Sequence, residues 1–381
     1  MSLKIVCSGN IIRFPVGGFV WHHFQYLAGL RDLGHEVIYF EDYGWRKSCY
    51  DPSCDLMSGD PSYGIAYLQD FLRRYELEIR WCYLAQDGTA HGMSREELAD
   101  CCRDSDLYLD LSNVNSIPES ALCRRRVLVD TDPVFTQIGA LGSASLSDYD
   151  VLFTFGENVH QPGCTMPTAD RNWLPTRQPV VTRLWPVEKA DPDTPFTTVT
   201  SWDSREHRHR GHVFGGKARE FEPFFTLPKD TDQIMEIALG IEPKISDPKT
   251  VLQRLTNGGW RVRNAMEVTR TPECYQRYLS ASRAEFAVAK NGYVSTQCGW
   301  FSERSAAYLA SGRPVVLQDT GFSRFLPCGE GILAFRDRDA AISAIRHLRD
   351  NFDAHARKAR ALAEEFFDSR RVLSELLERS L

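Results

Sequence analysis

The chain has 381 residues, 43% hydrophobic and 25% charged, with a formal net charge of -6 at pH 7. That length exceeds what one hydrophobic core serves, so two domains are expected, and the acidic balance argues against a dedicated nucleic-acid binder. No run approaches the roughly 18 uninterrupted apolar residues of a membrane span, and Lys4 interrupts the N-terminus too early for a secretory leader, so a cytoplasmic protein is expected. Eleven cysteines lie scattered without a Cys-x-x-Cys pair, and no histidine pair completes a zinc spacing, so no structural metal is indicated.

Leu3 to Ser8 reads as a short buried strand that runs into the loop Gly9 to Gly18. A helix from about Phe19 to Leu33, the turn Gly34-His35-Glu36-Val37 and a strand from Val37 to Phe40 complete a β-α-β unit. Helices follow near Tyr63 to Tyr75 and Ser94 to Cys102, and strands at Leu107 to Leu111, Arg126 to Val129 and Val151 to Phe155. Each strand ends in polar residues, which is where a doubly wound sheet places its ligands. The loop glycines Gly17 and Gly18 would let backbone N–H groups approach a ligand, or simply make a tight connection. His22 and His23 are candidate bases for an acceptor hydroxyl, with a surface or hydrogen-bonded core role as the alternative. Asp130 and Asp132, two apart after a strand, suit acceptor binding or general-base work first, turn chemistry second and a metal last.

From Gln161 to Pro195 the chain is proline-rich and lacks a sustained period, which suits a crossover between domains. A strand at Thr197 to Trp202 opens a second series. Helical segments are expected near Glu220 to Thr226, Asp232 to Leu239, Pro248 to Leu255 and Thr271 to Ser282, with strands at Trp260 to Val262 and Glu285 to Ala289. The tract His207-Arg208-His209-Arg210-Gly211-His212 resembles a metal site only superficially, because its arginines repel a cation; it is expected to be an exposed or phosphate-facing loop. Lys290 stands at a strand's carboxyl end, where a charge has reason to face a cleft.

The most informative stretch runs from Cys298 to Phe322. Ser302 can cap a short helix rich in alanine and leucine, Gly312 can end it, Pro314 blocks continuation, and Val315 to Leu317 suit a strand buried on both faces. A helix N-terminus beside Ser302, Glu303 and Arg304 favours an anion whose attached group bears hydroxyls. Ala307-Tyr308-Leu309-Ala310-Ser311-Gly312-Arg313-Pro314-Val315-Val316 resembles the donor-binding signature of group-1-like glycosyltransferases of the GT-B fold, approximately Glu-Ala-x-Ala-x-Gly-x-Pro-Val-Val. The Gly-His-Glu-Val turn at residues 34–37 resembles the opening of the same enzymes.

That resemblance implies an α/β fold of two doubly wound, Rossmann-like domains facing across a cleft. Residues 1–185 would form the acceptor domain, 186–368 the donor domain, and 369–381 a helix crossing back onto the first. Ala307 stands where the family places the glutamate that holds the donor ribose, and Glu303, one turn earlier on the same face, is the substitute expected. Lys217 falls where the family sets a basic residue against the donor diphosphate, with Lys290 and Arg304 in support. Asp319, Thr320 and Gly321 would contact sugar hydroxyls or make a plain turn. The activity implied is hexosyl transfer from a nucleotide diphosphate sugar, the co-substrate, to a small-molecule or glycan acceptor, with no cofactor and no metal. A nucleotide-sugar epimerase of the same fold and a non-catalytic nucleotide-sugar-binding protein are the alternatives.

Overall fold

Short apolar runs alternating with amphipathic stretches build two sheets, parallel throughout except for an antiparallel edge strand on the first. The computed structural model describes residues 2–141, 145–203, 206–242 and 244–381. The first half contains β1 (Lys4–Ser8), β2 (Glu36–Asp42), β3 (Cys49–Asp51), β4 (Leu56–Ser58), β5 (Arg80–Leu84), β6 (Ala90–Gly92), β7 (Leu107–Leu111), β8 (Arg126–Asp130), β9 (Val151–Thr154) and β10 (Trp173–Pro175). The second contains β11 (Phe196–Ser201), β12 (His207–His209), β13 (His212–Phe214), β14 (Met235–Gly240), β15 (Arg261–Asn264), β16 (Ala284–Ala287), β17 (Val315–Gln318) and β18 (Ile332–Phe335).

The first sheet has the order β10-β9-β8-β7-β1-β2-β5-β6, and the second β15-β14-β11-β16-β17-β18. Strand order reverses between β1 and β7 and between β11 and β16. In such a sheet the loops that leave the carboxyl ends there diverge to opposite faces and open a crevice. β1 and β7 are nearly wholly buried, as are β16 and β17, which explains their unbroken apolar reading.

Three expectations are corrected. In place of the helix expected over residues 232–239, Asp232 takes a left-handed φ of 52° and Met235–Gly240 forms β14, paired with β11. Ile234-Met235-Glu236-Ile237-Ala238-Leu239 is too short for its period to separate helix from strand. The crossover from Gln161 to Pro195 carries β10, which pairs with β9 as an edge strand. The histidine–arginine tract is an antiparallel hairpin, with His209 opposite His212 and His207 edge-on to Phe135 at 5.5 Å.

The last helix, Ser369–Ser380, lies on the first helix, Gly17–Asp32: a Cβ on Gly29 would meet Leu373 Cδ1 at 2.6 Å. It is reached through Val180, whose N–H bonds Phe367 O at 2.7 Å and whose carbonyl accepts from Ser369 N at 2.9 Å. A continuous buried cluster, from Ile5 and Trp21 through Trp185 to Tyr275, Phe301 and Phe367, joins the two halves.

Candidate active site

The helix Glu303–Ala310 begins as the sequence suggests, with Ser302 Oγ accepting from Arg304 N at 3.2 Å. The helix ends at Ser311, and Gly312 beyond it takes a φ of 69°. Arg304, however, turns inward. Its Nε lies 2.5 Å from Glu285 Oε1 and its Nη1 donates to Val199 O at 2.7 Å, so its charge is matched by a carboxylate buried at the start of β16. The charge of Arg304, expected to support the diphosphate site, is therefore already matched within the protein.

Lys290 is also paired. Its Nζ lies 2.9 and 2.8 Å from the two oxygens of Asp132, which also accepts from Tyr293 OH, and it sits 4.7 Å from the centroid of Phe135. Two residues read separately from the sequence thus form one ion pair between the halves. Lys217 differs from both. It donates to Thr200 Oγ1 at 2.9 Å and, among the described residues, forms no ion pair. Burial, then the Arg304 and Lys290 charges, lower its pKa to about 7, while Glu303 acts in the opposite sense. Lys217, Lys290, Glu303 and Arg304 therefore share one electrostatic neighbourhood.

A cavity of about 20 Å³, room for one water, lies beside this helix terminus and is lined in part by Ala289, Trp300, Ser302, Arg304 and Thr320. Among the described residues, Trp300 Nε1, Ser305 Oγ and Glu285 Oε2 are buried without a hydrogen-bond partner. Buried polar atoms of this kind carry a desolvation cost that a ligand can relieve. Thr320 Oγ1 is engaged with Trp300 O at 2.6 Å. Asp319 is not a sugar ligand in this arrangement: Gly321 N, Ser323 Oγ and Arg336 Nη2 donate to it at 2.9, 2.8 and 2.9 Å, and Gly321 O accepts from Asn158 Nδ2 at 3.0 Å. The Asp319-Thr320-Gly321 segment is a turn that anchors the opposite half.

Gly17 and Gly18 form the first turn of the first helix in place of an open loop. Gly17 is required by Tyr275: a Cβ there would lie 2.4 Å from Tyr275 Cβ, so only glycine admits this approach. Val16 supplies no side-chain cap, so the first N–H groups of the helix keep no side-chain acceptor.

His23 is buried, and its Nδ1 lies 2.8 Å from Phe19 O. A carbonyl only accepts, so Nδ1 carries the proton and Nε2, which has no partner among the described residues, keeps its lone pair. Burial, then His22, hold the imidazole well below its usual pKa, while the Glu303 charge raises it. Glu303 comes from the other half, so its charge reaches His23 across the two halves. His22, its ring 4.8 Å from that of His23, also has an unpaired Nε2, and burial lowers it to about 4.

Asp130 is corrected from candidate base to turn anchor, because Thr154 Oγ1, Gln137 Nε2 and Asp132 N donate to it at 2.6, 2.7 and 3.0 Å. The group that organises this edge was missed. Glu41, fully buried at the end of β2, accepts from Ile11 N, Ile12 N, Arg13 N and Tyr39 OH between 2.6 and 2.9 Å, and from Arg13 Nε at 3.2 Å. A carboxylate closing the run Val37-Ile38-Tyr39-Phe40 is the same signal that singled out Lys290. Among the described residues no group of three or more His, Cys, Asp or Glu is placed to hold a metal ion, and no helix is long and apolar enough to cross a membrane.

Neither a protein-family model nor a curated protein matches the chain. Solved structures do. AviGT4, a glycosyltransferase involved in avilamycin A biosynthesis, aligns with 99% of this chain and 97% of its own at 13% identity and a TM-score of 0.57. Anabaena Alr3699/HepE, solved with UDP-glucose, aligns over 99% of both chains at 12% identity and a TM-score of 0.59. An alpha-glucosyltransferase solved with UDP and a 13-mer DNA aligns over 99% of both at 11% identity and a TM-score of 0.59. The chain has the fold of these GT-B glycosyltransferases.

Proposed function

We propose that this protein transfers a sugar from a nucleoside diphosphate sugar to a hydroxyl-bearing acceptor in the cleft between its two sheets, without a metal ion. The observation that carries this reading is the convergence of Lys217, which has no carboxylate partner among the described residues, with Lys290, Glu303 and the N-terminus of the helix Glu303–Ala310. The electrostatic work of such a transfer falls on the departing diphosphate, and fixed cations and N–H dipoles aimed at it lower the barrier. The full-length likeness to enzymes solved with UDP or UDP-glucose supports the same ligand class.

In this scheme the diphosphate meets Lys217 first and draws Lys290 from Asp132. Glu303 accepts hydrogen bonds from donor hydroxyls. As the bond between the anomeric carbon and the diphosphate oxygen breaks, its electron pair stays on the diphosphate and the acceptor oxygen bonds to that carbon. The acceptor proton passes to His23 Nε2, whose lone pair is preserved by the bond from Nδ1 to Phe19 O. Glu303 and the incoming phosphate charge favour the imidazolium that results. Asp130 is engaged within the protein, and Asp132 keeps the Tyr293 hydroxyl when Lys290 leaves it, which supports charge neutralisation by side chains over a recruited cation.

The test is a thermal-shift and turnover panel of nucleoside diphosphates and their sugars in excess EDTA. A ligand that binds only the native state raises its stability by RT ln(1 + [L]/Kd). Stabilisation by a nucleoside diphosphate and release of it from its sugar are expected. If none of the panel stabilises the protein, the reading fails; activity lost in EDTA and restored by magnesium removes its metal-free form.

A further inference from the structure

Beside the cleft the first half displays an aromatic surface that the transfer scheme leaves unused. Phe19 and Trp45 are each 49% exposed, with Phe14 between them at centroid distances of 5.6 and 6.0 Å. Phe14 and Trp45 stand on the loops that leave β1 and β2 at the carboxyl edge of the sheet, and Phe19 in the first turn of the helix Gly17–Asp32 that follows β1. Phe19 is also the residue whose carbonyl fixes His23, so one helical turn separates this surface from the candidate base.

Trp45 is held firmly for so exposed a side chain. Its ring centroid lies 5.3 Å from the Arg13 guanidinium, and Arg13 is wholly buried. Arg13 is fixed in turn by Glu41 Oε1 at 3.2 Å, Val114 O at 3.0 Å and Asn115 Oδ1 at 3.1 Å. Its Nη1 lies 1.7 Å from where a Cβ on Gly44 would stand, so glycine beside Trp45 is what admits it. A buried cation under one face of an indole leaves the other face as a fixed apolar plane.

The charge around this plane selects its occupant. Residues 43–58 carry two cations, Arg46 and Lys47, and two carboxylates, Asp51 and Asp55, a net charge of zero. An anionic bilayer or a polyanion gains nothing from that balance. A neutral pyranose does fit, because its axial C–H face packs on an aromatic ring while its equatorial hydroxyls stay hydrated. Resting on the reading of the cleft as a glycosyl-transfer site, we propose that Trp45 and Phe19 form the stacking platform for a neutral sugar ring of the acceptor.

The experiment is saturation-transfer NMR on the full chain with methyl glucosides, galactosides and mannosides as probes, run beside UDP calorimetry, for wild type, Trp45→Ala and Trp45→Phe. Expected are saturation of the sugar ring C–H signals in the wild type, at least a fivefold loss in Trp45→Ala, substantial retention in Trp45→Phe and an unchanged UDP affinity throughout. No saturation of any glycoside, or equal saturation in Trp45→Ala, overturns the platform. Failure of the wild type to bind UDP while Trp45-dependent saturation persists overturns the cleft reading and leaves the platform. Should Trp45→Ala lose its cooperative thermal transition, Phe19→Ala is read by the same criteria. Binding to neutral or phosphatidylglycerol vesicles that vanishes in Trp45→Phe also overturns it, since that surface would then belong to a membrane.

Discussion

Lys290 Nζ and Asp132 Oδ2 meet at 2.8 Å, tying the loop after β16 to the loop after β8. A diphosphate that uses Lys290 must first take it from Asp132, so the two carboxylate oxygens compete with the ligand for one ammonium. We predict that Asp132→Asn tightens UDP binding by about three- to tenfold, on the order of 1 kcal/mol for a partly exposed pair, and that Lys290→Gln weakens it. Calorimetry reads both. An unaltered Kd in Asp132→Asn would show that Lys290 stays with its partner in the complex.

Lys217 gives a pH signature. Its folded pKa of about 7 lies below the ordinary lysine value, chiefly through burial. The unfolded chain then holds the extra proton above pH 7, so this residue lowers stability fully below pH 7, and the cost fades as pH rises toward 10.5. Binding runs the other way. A diphosphate raises the Lys217 pKa, so the complex takes up a proton above pH 7 and UDP affinity falls as pH rises past that point. Calorimetry at pH 8 in buffers of different ionisation enthalpy should report uptake, and Lys217→Met should abolish it. It should also weaken UDP by roughly 1.5 to 3 kcal/mol while sparing uridine.

Much of this architecture was legible because both faces of β1, β7, β16 and β17 are covered, and such strands read as plain apolar runs. The helix Glu303–Ala310 was legible from its own cap and glycine. β14 was not, because six apolar-rich residues carry no decisive period. The cations near the cleft could be named from their positions after strands, but their partners could not. Glu285, Asp132 and Thr200 lie 19, 158 and 17 residues from the groups they bind; the first and third pairings are fixed by the strand order of the second sheet and the second by how the two halves meet. Tyr275 was read only as part of a helix, and it is the residue that accounts for Gly17.

That contact makes a stability prediction. Gly17→Ala places a Cβ 2.4 Å from Tyr275 Cβ, backbone-proximal on both sides, so neither can swing away. Two helices of opposite halves must separate, at a cost of about 1 to 3 kcal/mol for an overpacked site. Tyr275→Gly should destabilise by itself, yet the double variant should lose less than the sum of the single losses. Denaturant unfolding of the four proteins tests this. Additive losses would mean that Gly17 is constrained by something other than Tyr275.

The last prediction separates His23 from His22. His23 Nδ1 is committed to Phe19 O, which leaves Nε2 as an acceptor, and the Glu303 charge stabilises the protonated ring. Among the described residues no hydrogen bond fixes the His22 tautomer, and its ring faces Tyr26 and Phe155 at 6.1 Å. If His23 accepts the acceptor proton, His23→Gln should lower kcat by about 10²- to 10⁴-fold, the usual range for a lost general base, with UDP affinity unchanged. His22→Gln should lower it far less. The wild-type kcat/KM, which reports the free enzyme, should fall on the acid side as the ring becomes protonated, and since burial keeps the His23 pKa below 6.5, that limb should lie below pH 6.5. A mechanism without a base would leave kcat nearly intact in His23→Gln and flatten the acid limb. Equal losses in both variants, with a lowered thermal midpoint, would instead make the pair a packing feature of the first helix, and the acceptor proton would have to leave by another route.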